Sequence, residues 1–129
     1  MTPATVVYDF DEALEAVGGD RETLKLLMEA AMEECPLRMR SIHEALAGGN
    51  GKSLHLAAHT LKGSLRYFGD SPAFRHALSL ECLAKEGRLD EAGRLAAALE
   101  EELRHFLQAL QARLLADAAS GDGAGSQPG

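Results

Sequence analysis

Residues 52–68 read KSLHLAAHTLKGSLRYF and carry two stripes at helical spacing. Leu54, Ala58, Leu61, Leu65 and Phe68 recur at intervals of 4, 3, 4 and 3. At about 100° per residue these positions form one apolar helix face. A second stripe, His55, His59, Lys62 with Gly63, and Arg66, falls within about 100° of arc on the polar side. A helix with one apolar face must bury it against something, so the neighbouring segments set the architecture.

Glycine and proline punctuate the chain on both sides of this segment. Breaks fall at Gly18-Gly19, at Gly48-Gly49-Asn50-Gly51, at Gly69-Asp70-Ser71-Pro72 and near Gly87. Every stretch between them has helical periodicity, and none alternates as a strand does. A short first helix is expected over about Asp9–Val17, with Phe10, Leu14 and Val17 on one side. A second starts after Asp20, a good N-cap, and runs to about Ala47. Pro36 lies inside it and should kink or split it, because proline removes one backbone hydrogen bond. A fourth helix starts with Ser71 as cap and Pro72 in the first position, and ends near Glu86. The fifth covers about Leu89–Ala116, with Leu95, Leu99, Leu103, Phe106, Leu107 and Leu110 as its stripe. Short connections between such helices favour antiparallel neighbours. The fold class is therefore all-α: an antiparallel up-down four-helix bundle with a short additional N-terminal helix. The organisation reads as an N-terminal extension over 1–7, the bundle over 8–116, and a small, polar, disordered tail over 117–129.

The composition agrees with one domain. The chain has 129 residues, of which 46% are hydrophobic and 26% charged, enough for one core. Lys and Arg number 13 against 20 Asp and Glu, a net charge of -7. That excludes an overall basic footprint for nucleic acid and argues against a polybasic membrane anchor. No apolar run approaches the roughly 18–20 residues needed to span a bilayer. The start of the chain, MTPATVVYDFDEA, lacks the basic and apolar regions of a secretory signal. Two cysteines, Cys35 and Cys82, have no CxxC spacing and lie among apolar positions, as core filler in a reduced, cytoplasmic setting. Met1 and the polar tail fit a free-standing protein.

Gly63 is the unusual choice on the polar stripe. A glycine inside a helix costs roughly 0.5–1 kcal/mol relative to alanine. It lies one turn beyond His59, off the apolar face, so it leaves an open approach to the imidazole; close packing by a neighbouring helix is the competing explanation. A neutral imidazole is a good nucleophile near neutral pH, its reference pKa being about 6.5. Lys62, one turn away, brings a mobile positive charge.

Ala58-His59-Thr60-Leu61-Lys62-Gly63-Ser64, followed by Phe68-Gly69, resembles the active-site signature of the histidine-containing phosphotransfer (HPt) domain family. The resemblance extends to Gly18-Gly19-Asp20, to Glu33-Glu34-Cys35-Pro36, to Leu80-Glu81 and to Gly87-Arg88-Leu89-Asp90-Glu91-Ala92, about Tyr8 to Leu110 in all. It implies a monomeric bundle that carries a phosphoryl group on a histidine and passes it between receiver-domain aspartates of a hybrid histidine kinase or a response regulator. His59 would be the phosphoacceptor, Lys62 would neutralise the phosphoryl oxygens, and Gly63 would let the receiver dock closely. Glu81 falls where family members commonly place Gln or Glu beside the histidine; it is either the acceptor for one ring nitrogen of His59 or a solvated surface carboxylate. His55, Arg66 and Ser64 would belong to the partner-binding rim. Arg38, Arg40, Lys52, Arg75 and Lys85 would add to a basic rim facing an acidic receiver pocket. The chain would need no cofactor of its own, Mg²⁺ being expected on the receiver. It would be a carrier, not a kinase: no GxxxxGK[ST] sequence for ATP is present.

Leu65, Arg66, Tyr67 and Asp70 depart from the residues the family commonly has at these places. His55 and His59 are spaced i,i+4, as on a metal-binding helix, but no HExxH is formed and no metal is expected. Two other readings compete. One is a module that docks on receivers without passing phosphate, against which the intact His59, Lys62 and Gly63 argue. The other is the dimeric helical hairpin of a histidine kinase, against which five helices in one chain argue.

Overall fold

The computed structural model of the protein describes Tyr8 and residues 10–125, with side chains to residue 119. Five α-helices follow in order: α1 (Asp11–Ala16), α2 (Arg21–Ala47), α3 (Gly51–Leu65), α4 (Pro72–Lys85) and α5 (Leu89–Gly125). A 3-10 turn, Arg66–Phe68, continues α3. No strand occurs among the described residues. The expected N-terminal extension over 1–7, and Asp9 at the expected start of the first helix, lie outside them.

Side-chain caps set the starts of three helices. The Asp20 carboxylate accepts from the Glu22 N–H at 3.1 Å and from the Thr23 hydroxyl at 2.7 Å. Asn50 accepts from the Ser53 N–H at 3.0 Å, and Ser71 Oγ from the Phe74 N–H at 3.1 Å. The three backbone bonds, from Glu22, Ser53 and Phe74, each satisfy one of the amide donors that a helix start leaves free, worth about 1 kcal/mol. Residues 69–71 and 86–88 bracket α4, and each turn places a glycine at positive φ: Gly69 at 83° and Gly87 at 75°. A side chain at either position would be strained.

Turns of three residues (48–50, 69–71 and 86–88) reverse the chain between consecutive long helices. α2 packs on α3, α3 on α4 and α4 on α5, and α5 closes the ring on α2. This is the expected four-helix bundle. Leu24, Met28, Cys35 and Ile42 of α2 meet Leu54, Leu61 and Leu65 of α3, Leu80 of α4, and Leu99, Phe106 and Leu110 of α5 in one buried core. Burying each large side chain stabilises the fold by about 1.5–3 kcal/mol. Phe68 and Phe106 stack edge to face at 5.3 Å, and Phe10, just before α1, joins Phe68 at 6.1 Å. The small helix thereby closes one end of the bundle.

Three features differ from the sequence reading. Of the kink or split expected at Pro36, the split does not occur: α2 is one helix through it. Pro36 is exposed beside the open cleft between α2 and α5, where water can satisfy the carbonyl its ring leaves without a donor, while Cys35 and Met39 hold the flanking turns in the core. α5 continues to Gly125, so residues 117–125 of the expected disordered tail are helical; residues 126–129 lie outside the described part. Adding one residue to a formed helix is cheap compared with starting one, Ala116, Ala118 and Ala119 favour it, and the Arg113–Asp117 pair at 3.0 Å braces the last core turn. Cys82 is exposed rather than core filler, because α4 turns Leu80 and Ala84 inward. Cys35 is buried as expected, and burial, aided by the Glu34 charge, pushes its thiol up to about 12.

Candidate functional site

The apolar stripe of α3 turns Leu54, Ala57, Ala58, Leu61 and Leu65 into the core. That orientation leaves His55, His59 and Lys62 along the seam with α4. The core residues of α4 are Ala73, Ala77, Leu80 and Ala84, so Glu81, next to Leu80, lies at the edge of the same seam.

Glu81 is the point on which the α3 side chains converge. Its Oε2 is 2.8 Å from His59 Nδ1. Its Oε1 is 2.7 Å from Lys62 Nζ, an ion pair rather than an aligned hydrogen bond. His55 Nε2 stands 3.6 Å from Oε2, a charge contact too long for a hydrogen bond. The two imidazoles lie nearly parallel, 6.4 Å between centroids and 13° between planes. The Glu81 side chain is 14% exposed and that of Lys62 13%, whereas that of His59 is 58% exposed. One carboxylate at the mouth of the interface thus holds an exposed ring and a half-buried ammonium.

The electrostatics follow from this geometry. Burial by itself would raise the Glu81 carboxyl; contact with Lys62 and then with His59 outweighs it and holds the carboxyl below its ordinary range. Glu81 is therefore ionised at neutral pH and can only accept. The ring nitrogen facing it must carry the proton, so His59 Nδ1–H donates and the lone pair of the neutral ring resides on Nε2.

Gly63 is exposed on α3, and a Cβ built on it would meet nothing within 4 Å among the described residues. No neighbouring helix among the described residues requires a glycine there. Ser64 is half-buried, its hydroxyl donating to the Thr60 carbonyl at 3.4 Å, so it is turned toward its own helix. Arg66 is exposed on the 3-10 turn. Of the cations expected around the site, Arg38 pairs with Glu34 and Arg75 with Asp70. Arg40, Lys52, Arg66 and Lys85 have no ion-pair partner among the described residues. Lys52, His55 and Lys85 line one shallow cleft beside the seam.

The sequence reading joined Lys62 to the phosphoryl group and Glu81 to His59, and so missed the contact between Lys62 and Glu81. It also passed over Leu56, 65% exposed, which shares a face with His59, Thr60 and Gly63 at helical spacing. Its place off the apolar stripe was the available signal. His43 meets Glu100 at 3.1 Å, His105 meets Glu101 at 3.3 Å, and His76 Nδ1 faces the Pro72 carbonyl at 2.6 Å, all outside this seam. No group of three or more His, Cys, Asp or Glu among the described residues is placed to hold a metal. No helix among them is long and apolar enough to cross a membrane.

The fold is that of a known protein. The crystal structure of histidine-containing phosphotransfer protein B (HptB) from Pseudomonas aeruginosa PAO1 superposes with a TM-score of 0.77 at 22% identity, covering 84% of this chain and 94% of that one. No curated protein matches the sequence. The model of the Hpt domain matches residues 26–113, which include α3, α4 and the whole seam around Glu81. The chain belongs to the Hpt domain family and is a phosphotransfer carrier of phosphorelays.

Proposed function

We propose that His59 is the phosphoryl carrier, acting through Nε2. The observation that supports this most directly is the 2.8 Å contact of Nδ1 with an ionised Glu81 while the ring stays exposed. The Nε2 lone pair attacks the phosphorus of a receiver's aspartyl phosphate. The N–P bond forms as the P–O bond breaks, and the aspartate carboxylate leaves with the electron pair. The ring keeps its Nδ1 proton and becomes positively charged, and Glu81 faces that charge. The attacking nitrogen, the phosphorus and the leaving oxygen must lie roughly in line, which an exposed ring permits. The exchange runs in reverse when a second receiver's aspartate attacks the phosphohistidine.

In this reading the partners are the receiver domains of a hybrid histidine kinase or a response regulator, and Mg²⁺ belongs to the receiver. The protein works as a cytoplasmic monomer. Gly63 supplies the flat approach beside the ring, because its open side meets no atom of the described residues. Arg66, with no ion-pair partner among the described residues, is free to meet an acidic receiver surface. His55 and Ser64 complete the rim.

The test mixes a phosphorylated receiver domain and Mg²⁺ with this protein, wild type and His59→Gln. The expected result is an acid-labile, base-stable phosphate on His59, located by mass spectrometry and lost in the variant. Label retained on His59→Gln sinks the assignment. Binding to several receivers with no label favours a docking module without transfer.

A further inference from the structure

A cation reserved for an incoming phosphoryl group should stand free beside the acceptor ring. Lys62 does not: its ammonium is 2.7 Å from Glu81 Oε1, and its side chain is only 13% exposed. The carboxylate is thereby divided, with Oε1 on Lys62 and Oε2 on His59. His55 Nε2 waits 3.6 Å from the same Oε2, on a ring parallel to that of His59. A glutamate has three rotatable side-chain bonds. Held only by a half-exposed imidazole, its carboxylate could turn toward His55 or toward water.

We propose that Lys62 is a positioning residue for His59: by holding Glu81 Oε1 it aims Oε2 at His59 Nδ1 and so fixes the ring tautomer that leaves Nε2 as nucleophile. This role rests on His59 being the phosphoryl site. It differs from direct charge neutralisation at phosphorus, because it is exerted before any phosphate arrives and only through Glu81. Without Lys62 the partly desolvated Glu81 carboxylate has one oxygen with no partner, which favours its turning toward His55 or water and away from His59.

Two measurements test it. The first is ring ¹⁵N NMR of the unphosphorylated protein. Wild type and Lys62→Arg should show His59 protonated on Nδ1, whereas Lys62→Met should show a mixture of both tautomers. The second is a double-mutant cycle on the transfer rate from a phosphorylated receiver. Lys62→Met should slow transfer on the order of tenfold with Glu81 present, and less than about twofold in a Glu81→Gln background, since residues acting through one group are not additive. An unchanged tautomer in Lys62→Met, or the same tenfold loss in both backgrounds, overturns the role and returns Lys62 to the phosphoryl group. The NMR arm needs no phosphate, so it reads out even if His59 proves not to be the acceptor.

Discussion

His59 of α3 and Glu81 of α4, 22 residues apart in the chain, meet at 2.8 Å across the interface of the two helices. The contact is possible because the residues beside them, Ala58 and Leu80, are both fully buried in the same core. The packing that stabilises the bundle also sets the distance between the two functional groups. Their relation should depend on core integrity together with the Lys62 contact that holds the Glu81 carboxylate.

The first prediction concerns acid. Glu81 has its carboxyl held below the ordinary value of about 4.5 in the folded protein. A depressed carboxyl contributes stability that is fully present above the unfolded-state pKa and lost as pH falls through the folded-state pKa. Denaturant midpoints of wild type and Glu81→Gln should therefore differ most above about pH 5, and the gap should narrow as pH falls below that. A gap that stays constant down to strong acid would mean that the Glu81 contacts add nothing net to stability.

Gly63 makes a two-sided prediction. Gly63→Ala adds a Cβ into open space on an ordinary helix, so stability should rise by about 0.5–1 kcal/mol in urea titration. Gly63→Gln places a long side chain one turn from His59. It should leave the helical content intact while slowing transfer from a receiver on the order of tenfold or more, since small misplacements of reacting groups are costly. A lower melting temperature for Gly63→Ala would point instead to a packing role.

The cysteines should divide by reactivity. Cys82 is exposed, while Cys35 is buried with its thiol pushed up to about 12. A neutral alkylating reagent at pH 8 should add one group to the native protein and a second only on unfolding, because the thiolate is the reactive form. Rapid double labelling under native conditions would show that α2 opens around Pro36.

Phe106 tests the closed end of the bundle. It is fully buried against Phe68, its ring centroid 5.3 Å away. Phe106→Ala should cost about 3–5 kcal/mol by chemical denaturation. Leu115, 64% exposed on the same helix, should change stability by less than about 0.5 kcal/mol when cut to alanine. Similar costs at the two positions would contradict the burial pattern of α5.

Much of this protein was legible in the chain alone. The 3.6-residue periodicity of α2, α3 and α5, the caps at Asp20 and Ser71, and the glycine breaks are local signals. They suffice because each helix forms from contacts within a few residues, and its apolar stripe leaves one way to face a core. The exposure of His59 follows from the same geometry, being off the stripe. The misread features are those where a local signal competes with something longer in range. Pro36 reads as a kink or a split, and the split does not occur, because Pro36 sits on an exposed face that tolerates a missing bond. The small residues after Ala116 read as a tail, although helix propagation from a long, anchored α5 carries through them to Gly125.

What only the tertiary structure decided is how the polar stripe is used. Sequence places Lys62 one turn from His59 and leaves Glu81 as either an acceptor or a solvated carboxylate. The choice depends on the rotation of α4 against α3, which Ala77, Leu80 and Ala84 fix by filling the core. That rotation brings Glu81 within 2.8 Å of His59 and 2.7 Å of Lys62. Helix periodicity is a property of one segment, whereas a contact between two helices depends on how their side chains interlock, and no single segment contains that information.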